Sequence, residues 1–174
     1  MAVSITIMVL DLKAPRRSDP TALLRLWPSF AIYLVSFFLT TIYWINHMTQ
    51  ARHVTTRLLW ANSGVLFSAS FIPFGTAYVG ETGLAPFHTA IYGTLQCVCG
   101  LAFGAMFQTI VRQRDDEASR RRVTIRRRQN LIAVGVYALS AGTAFLSPAL
   151  AIVLLTAVSL AYVAPTFLDV QKDP

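Results

Sequence analysis

Apolar runs long enough to cross a bilayer recur along this chain, and they restrict its fold more than any other feature. Near 28–48, 58–79 and 86–111 the apolar character persists for about 20 residues, the length a helix needs to span about 30 Å of hydrocarbon. Shorter runs lie near 1–12, 130–145 and 148–163. Inside a bilayer every backbone polar group must find its partner within the protein, so such runs read as helices. The expected fold is therefore an all-α membrane protein, one domain over 1–174: a six-helix transmembrane bundle with a truncated first helix and a basic cytoplasmic loop at 112–129, itself a helical extension or a solvated loop. The composition suits lipid, since 13% of residues are charged where a soluble domain carries about 25%. The first run, 2–10, rises only about 14 Å before Asp11, roughly half a bilayer. It lacks the basic start and small-residue cleavage site of a signal peptide.

The formal charge of +7 has two readings, a nucleic-acid surface or a topology signal, and its distribution favours the second. Eight arginines fall between Arg112 and Arg128, and Arg52 and Arg57 lie in another connection. The alternate connections, near Gly80 to Gly83 and at Leu146 and Ser147, carry no basic residue. Both termini are accordingly expected on the cytoplasmic side of a cell membrane, with membrane lipid and no nucleic acid as partner. Lys13, Arg16, Arg17 and Arg25 in the first connection argue the other way and are outnumbered by the arginine block.

No catalytic constellation is present: the sequence has no phosphate loop, no G-x-S-x-G and no His/Cys spacing suited to a metal. An enzyme is not expected. Cys97 and Cys99 point to different faces of a helix and read as small packing residues. Ser68, Ser70, Thr89, Thr94, Gln96 and Gln108 are expected to hydrogen-bond between helices; with no acid or base beside them, they do not suggest a proton path. Pro73 has apolar residues on both sides and should kink its helix without ending it.

Several ordered motifs resemble the prokaryotic homologues of the endolysosomal potassium channel, transmembrane protein one-seventy-five. They are Ala2 to Leu10 followed by Lys13 and Pro15, Tyr33-x-x-Ser36-Phe37, Trp44-x-x-His47, Leu59-Trp60-x-Asn62, Phe71-Ile72-Pro73-Phe74 and Gly80-Glu81. The resemblance implies a homotetramer with a central pore lined by the first helix, conducting potassium, with no bound cofactor. In that family the first helix opens on R-x-x-x-F-S-D-G, which here would fall before Met1, so the expectation is an upstream start or a shortened product. Thr76-Ala77-Tyr78-Val79-Gly80 looks like a carbonyl-lined selectivity filter, but it lies at a helix end and reads as a coincidence.

Val3, Ile7 and Leu10 share one helical face, and the resemblance makes them the pore constriction. Four such stripes about an axis would form an apolar ring that gates by dewetting, while plain helix packing is the alternative use of the same stripe. Trp44 and His47 lie on one face, and Trp60 and Asn62 open the next helix, so the four could support the pore helix or belong to an interfacial aromatic belt. Asp11 could ring a pore mouth or anchor the helix at the interface. The leading function is a potassium-preferring cation channel subunit. The alternative is a non-conducting membrane interaction protein, or truncated subunit, whose arginine-rich loop binds lipid.

Overall fold

The structure is a computed structural model that describes residues 6–7, 9, 26–48, 55–82, 84–113 and 115–170. The described residues are helical wherever they are regular. Thr6, Ile7 and Val9 are helical, followed by α1 (Trp27–Met48), α2 (Thr56–Ser70), α3 (Ile72–Thr82), α4 (Pro86–Arg112), α5 (Glu117–Thr143) and α6 (Pro148–Val170). α2 and α3 form one apolar rod interrupted only at Phe71, so α1 to α6 amount to five long helices. Two of them, 56–81 and Pro86–Arg112, are long and apolar enough to cross a membrane by length and composition.

The ends of these helices follow from local chemistry. Thr55 caps α2 by accepting the Leu58 N–H, and Asp116 caps α5 by accepting the Ser119 N–H at 2.9 Å. Pro86 and Pro148 stand in first turns, where a missing N–H breaks no helical bond. Pro73 sits in the first turn of α3, just past the break, and the single intervening residue Phe71 keeps αR backbone. Leu84, which leads into α4, has φ 66°, unusual for a side chain with a Cβ. It is held there by packing against the core around Ile32 and Tyr92.

The arginine-rich segment, expected as a helical extension or a solvated loop, is largely helix. α5 begins at Glu117, well before the expected Asn130, because Asp116 supplies a cap and the run to Gln129 contains no Gly or Pro to stop a helix. Val123 then joins the core beside Ile110 and Phe107, fixing this part of α5 against α4.

α4 is central, packed against α2, α3, α5 and α6, while α1 rests on α3 and α6. Small residues let α4 and α5 approach closely. A Cβ on Gly93 would lie 3.0 Å from the Ala141 backbone nitrogen, one on Gly100 would lie 2.7 Å from Val134 Cγ2, and one on Gly104 would lie 3.3 Å from Asn130 Nδ2. The same contacts make the pair antiparallel. Gln113 bonds to Thr55, so the connection before α2 and the connection before α5 share one end of the bundle. Ser29 donates to the Gly80 carbonyl at 2.9 Å, placing the start of α1 beside the end of α3 at the other.

Candidate functional site

Of the expected constriction, Ile7 is helical and 45% exposed; it is not buried within the chain. Val3, Leu10 and the proposed mouth residue Asp11 lie outside the described residues. Trp44 near the end of α1 is 48% exposed and Trp60 on α2 is 76% exposed, while Asn62 is half-buried. His47 belongs to α1, with its side chain outside the description. Trp27, Phe30, Leu34, Phe38 and Trp44 make α1's outward side a band of large, exposed apolar groups. Water would not tolerate so extensive a surface, but lipid or another helix would.

The interior holds a polar set that the sequence motifs did not bring together. Ser36 on α1, Thr76 on α3 and Tyr92 on α4 meet with no exposed surface on Ser36 or Tyr92. Tyr92 Oη is 2.6 Å from Ser36 Oγ, and Thr76 Oγ1 is 2.7 Å from it. Ser36 Oγ also lies 2.9 Å from the Ile32 carbonyl, and Thr76 Oγ1 lies 2.8 Å from that of Ile72. If Tyr92 and Thr76 each donate to Ser36 Oγ and Ser36 donates to the Ile32 carbonyl, all three hydroxyl protons are placed. Such closure matters because a buried polar group without a partner costs about 1–3 kcal/mol.

A turn further along, Tyr43 donates to Gln96 Oε1 at 3.2 Å and its ring stacks on Phe103 with centroids 4.8 Å apart. Asn130 Nδ2 donates to the Gly100 carbonyl at 2.8 Å, and Ser140 Oγ to that of Ala151 at 2.9 Å. A small cavity lined by Ile42, Tyr43, Phe103, Asn130 and Tyr137 lies among these groups. Ties between apolar helices of this kind specify which faces meet, because a slipped register would leave each polar group alone.

Most hydroxyls expected to bridge helices do something else. Ser68, Ser70, Thr89 and Thr94 bond to carbonyls three or four residues back on their own helices. A hydroxyl on a helix always has such a local acceptor within reach, so its presence in an apolar run does not predict a bridge. Gln96, with a longer side chain, does reach another helix. Ser36 was visible inside Tyr33-x-x-Ser36-Phe37, but nothing in one helix announces the partners on two others. Cys97 and Cys99 are free, and Cys99 is fully buried, as packing residues would be.

The filter-like run from Thr76 to Gly80 lies within α3. Thr76 is buried against Ser36, and the Gly80 carbonyl accepts from Ser29, so these groups serve the subunit interior. Among the described residues no group of three or more His, Cys, Asp or Glu could hold a metal ion.

Known proteins share both the sequence and this architecture. Residues 1–73 match the family described as the endosomal/lysosomal potassium channel TMEM175. A potassium channel from Chryseobacterium sp. (strain P1-3) is 30% identical over 168 residues, covering 95% of this chain and 88% of that protein. A potassium channel from Streptomyces collinus is 31% identical over 165 residues, with 84% and 78% covered. The crystal structure of a lysosomal potassium-selective channel TMEM175 homolog from Chamaesiphon minutus superposes with a TM-score of 0.83 at 22% identity, covering 94% of this chain and 90% of that one. That likeness shows the fold.

Proposed function

The chain belongs to the TMEM175 family in its prokaryotic branch, and from that premise we propose that it is a potassium-preferring channel subunit of the cell membrane. The observation that carries the reading is the 30% identity to a potassium channel across 95% of the chain. The relatives are channels and not enzymes, in keeping with a sequence without catalytic constellations.

In this reading the leading segment is a sixth span, both termini are cytoplasmic, and four copies assemble about a shared axis. Val3, Ile7 and Leu10 form the constriction, where branched side chains narrow the water path and raise the cost of stripping an ion of its hydration. Ile7 supports this by being helical and exposed, so it is free to face an axis. Asp11 would collect cations at the mouth, while Trp44, His47, Trp60 and Asn62 would brace the pore helix from the side. Potassium is the permeant ion, no cofactor is required, and lipid surrounds the assembly.

The test is bilayer recording of the full open reading frame reconstituted in liposomes. A potassium current is expected, and Ile7→Asn should raise it about tenfold or more by wetting the ring. A chain that assembles and carries no cation current, or a current indifferent to Ile7→Asn, would overturn the assignment of Ile7.

A further inference from the structure

We infer that the outward face of α5 binds the phosphodiester of an anionic phospholipid through Arg121 and Arg128, with the acyl chains lying along Ile132 and Leu139. The inference requires the bundle to sit in a bilayer, and it does not depend on whether the channel conducts.

The face is defined by what the rest of α5 buries. Val123, Asn130, Ala133, Tyr137 and Ser140 turn inward against the bundle. At about 100° per residue the opposite side carries Arg121, Ile125, Arg128, Ile132 and Leu139, and all five are exposed. Along that one line the chemistry changes from cationic to apolar, as the surroundings of a lipid do between headgroup and tail. Ile132 is 69% exposed and Leu139 56%, so apolar surface for a chain is available below the arginines.

Helix length places the transition at the membrane boundary. Arg128 lies about 22 Å along the axis from Thr143 at the end of α5, and Arg121 about 33 Å, at 1.5 Å per residue. With Thr143 at the opposite edge, these distances bracket the roughly 30 Å of hydrocarbon. The hydrocarbon boundary therefore falls between Arg121 and Arg128, and both side chains reach outward to the phosphates just beyond it. Arginine suits that position because its planar fork pairs with two phosphate oxygens while its stem stays against apolar neighbours. Glu117, one turn before Arg121, is the one acidic residue of α5, and none on this helix lies within a turn of Arg128. Free nucleic acid is the poorer fit, since Ile125 and Ile132 interleave the arginines and continue into an exposed apolar surface.

The experiment is native mass spectrometry of the purified full chain in mild detergent, titrated with phosphatidylglycerol and, separately, phosphatidylcholine of the same acyl chains. Retained phosphatidylglycerol should exceed phosphatidylcholine by about tenfold, given the contribution of each basic residue near an anionic surface. Arg121→Gln/Arg128→Gln should remove that preference, whereas Arg120→Gln/Arg122→Gln, with the same loss of charge, should keep most of it. Equal retention of the two lipids by the unaltered chain overturns the inference without recourse to any variant. Equal losses in the two double variants would also overturn it, as would displacement of the lipid by an RNA oligonucleotide. Bilayer currents are not read in this assay, so failure here and failure of the channel assignment remain distinguishable.

Discussion

The α4–α5 pair and the outward side of α1 use much the same apolar alphabet and are finished in opposite ways. Between α4 and α5, Gly93, Gly100 and Gly104 admit the partner helix until Ala141, Val134 and Asn130 touch. On α1, Phe30, Leu34 and Phe38 leave the helix exposed, with the packing work done by Ile32, Val35, Ser36 and Leu39 on the other side. The contrast separates what one subunit completes alone from what it leaves to its surroundings. An interface closed down to backbone contact has no tolerance for added volume, whereas a face open to lipid or a neighbouring helix has a great deal.

The contrast is strongest at Gly93. A Gly93→Leu change should destabilise the subunit by about 3 kcal/mol, since a Cβ alone already meets the Ala141 backbone and overpacking is relieved only by moving a helix. Thermal unfolding in detergent reads this directly, and an unchanged midpoint would mean that the pair is not closed as described. Tyr92→Phe should cost about 1 kcal/mol, because it removes one hydroxyl from the Ser36 and Thr76 set without opening a cavity. Ser36→Ala combined with Tyr92→Phe should then add less than Ser36→Ala costs alone, which a double-mutant cycle measures.

On α1 the expected outcome is inverted. Phe38→Ala should shift subunit unfolding by less than about 0.5 kcal/mol, and any larger effect should appear in the oligomer distribution seen by cross-linking. A large loss of subunit stability would erase the distinction between the two regions. The smallest effect belongs to Asp116, beyond the apolar part of α5. Hydrogen bonds from the Ser119 side chain and backbone hold its carboxyl below the ordinary carboxylate range. A depressed value means that the cap contributes above that range and is lost as pH falls through the lowered value. The protection of the Ser119 and Arg120 amides, taken as observed against intrinsic exchange at each pH, should therefore fall at acid pH, and Asp116→Ala should abolish that fall.

The long apolar runs were legible because lipid imposes a length on each helix, and the boundaries at 86–111 nearly coincide with α4. The start of α5 at Glu117, against the Asn130 at which the apolar run opens, differs for a related reason. A density of charge that marks the edge of a membrane does not mark the end of a helix, and the six arginines from Arg120 to Arg128 are good helix formers once Asp116 caps the turn. Among candidate site residues, the sequence singled out Ile7 through its stripe and the family motifs, and the structure finds it helical and uncovered. The Ser36, Thr76 and Tyr92 meeting was not legible, because it joins residues 40 and 56 positions apart and each hydroxyl alone looks like those that bond to their own helix.

The unbroken run of α5 from Glu117 to Thr143 also works as a draught mark. Because α5 is locked to α4 at Gly93 and Gly104, the arginines cannot ride up or down independently of the bundle. Sinking the protein by a few turns would carry Arg126, Arg127 and Arg128 toward the midplane, at about 3 kcal/mol for each charge. Lifting it would draw Ile132 and Leu139 into water. On the inferred placement of α5, the waterline of the whole subunit is ruled on a single helix, and the bilayer would fit its thickness to that line.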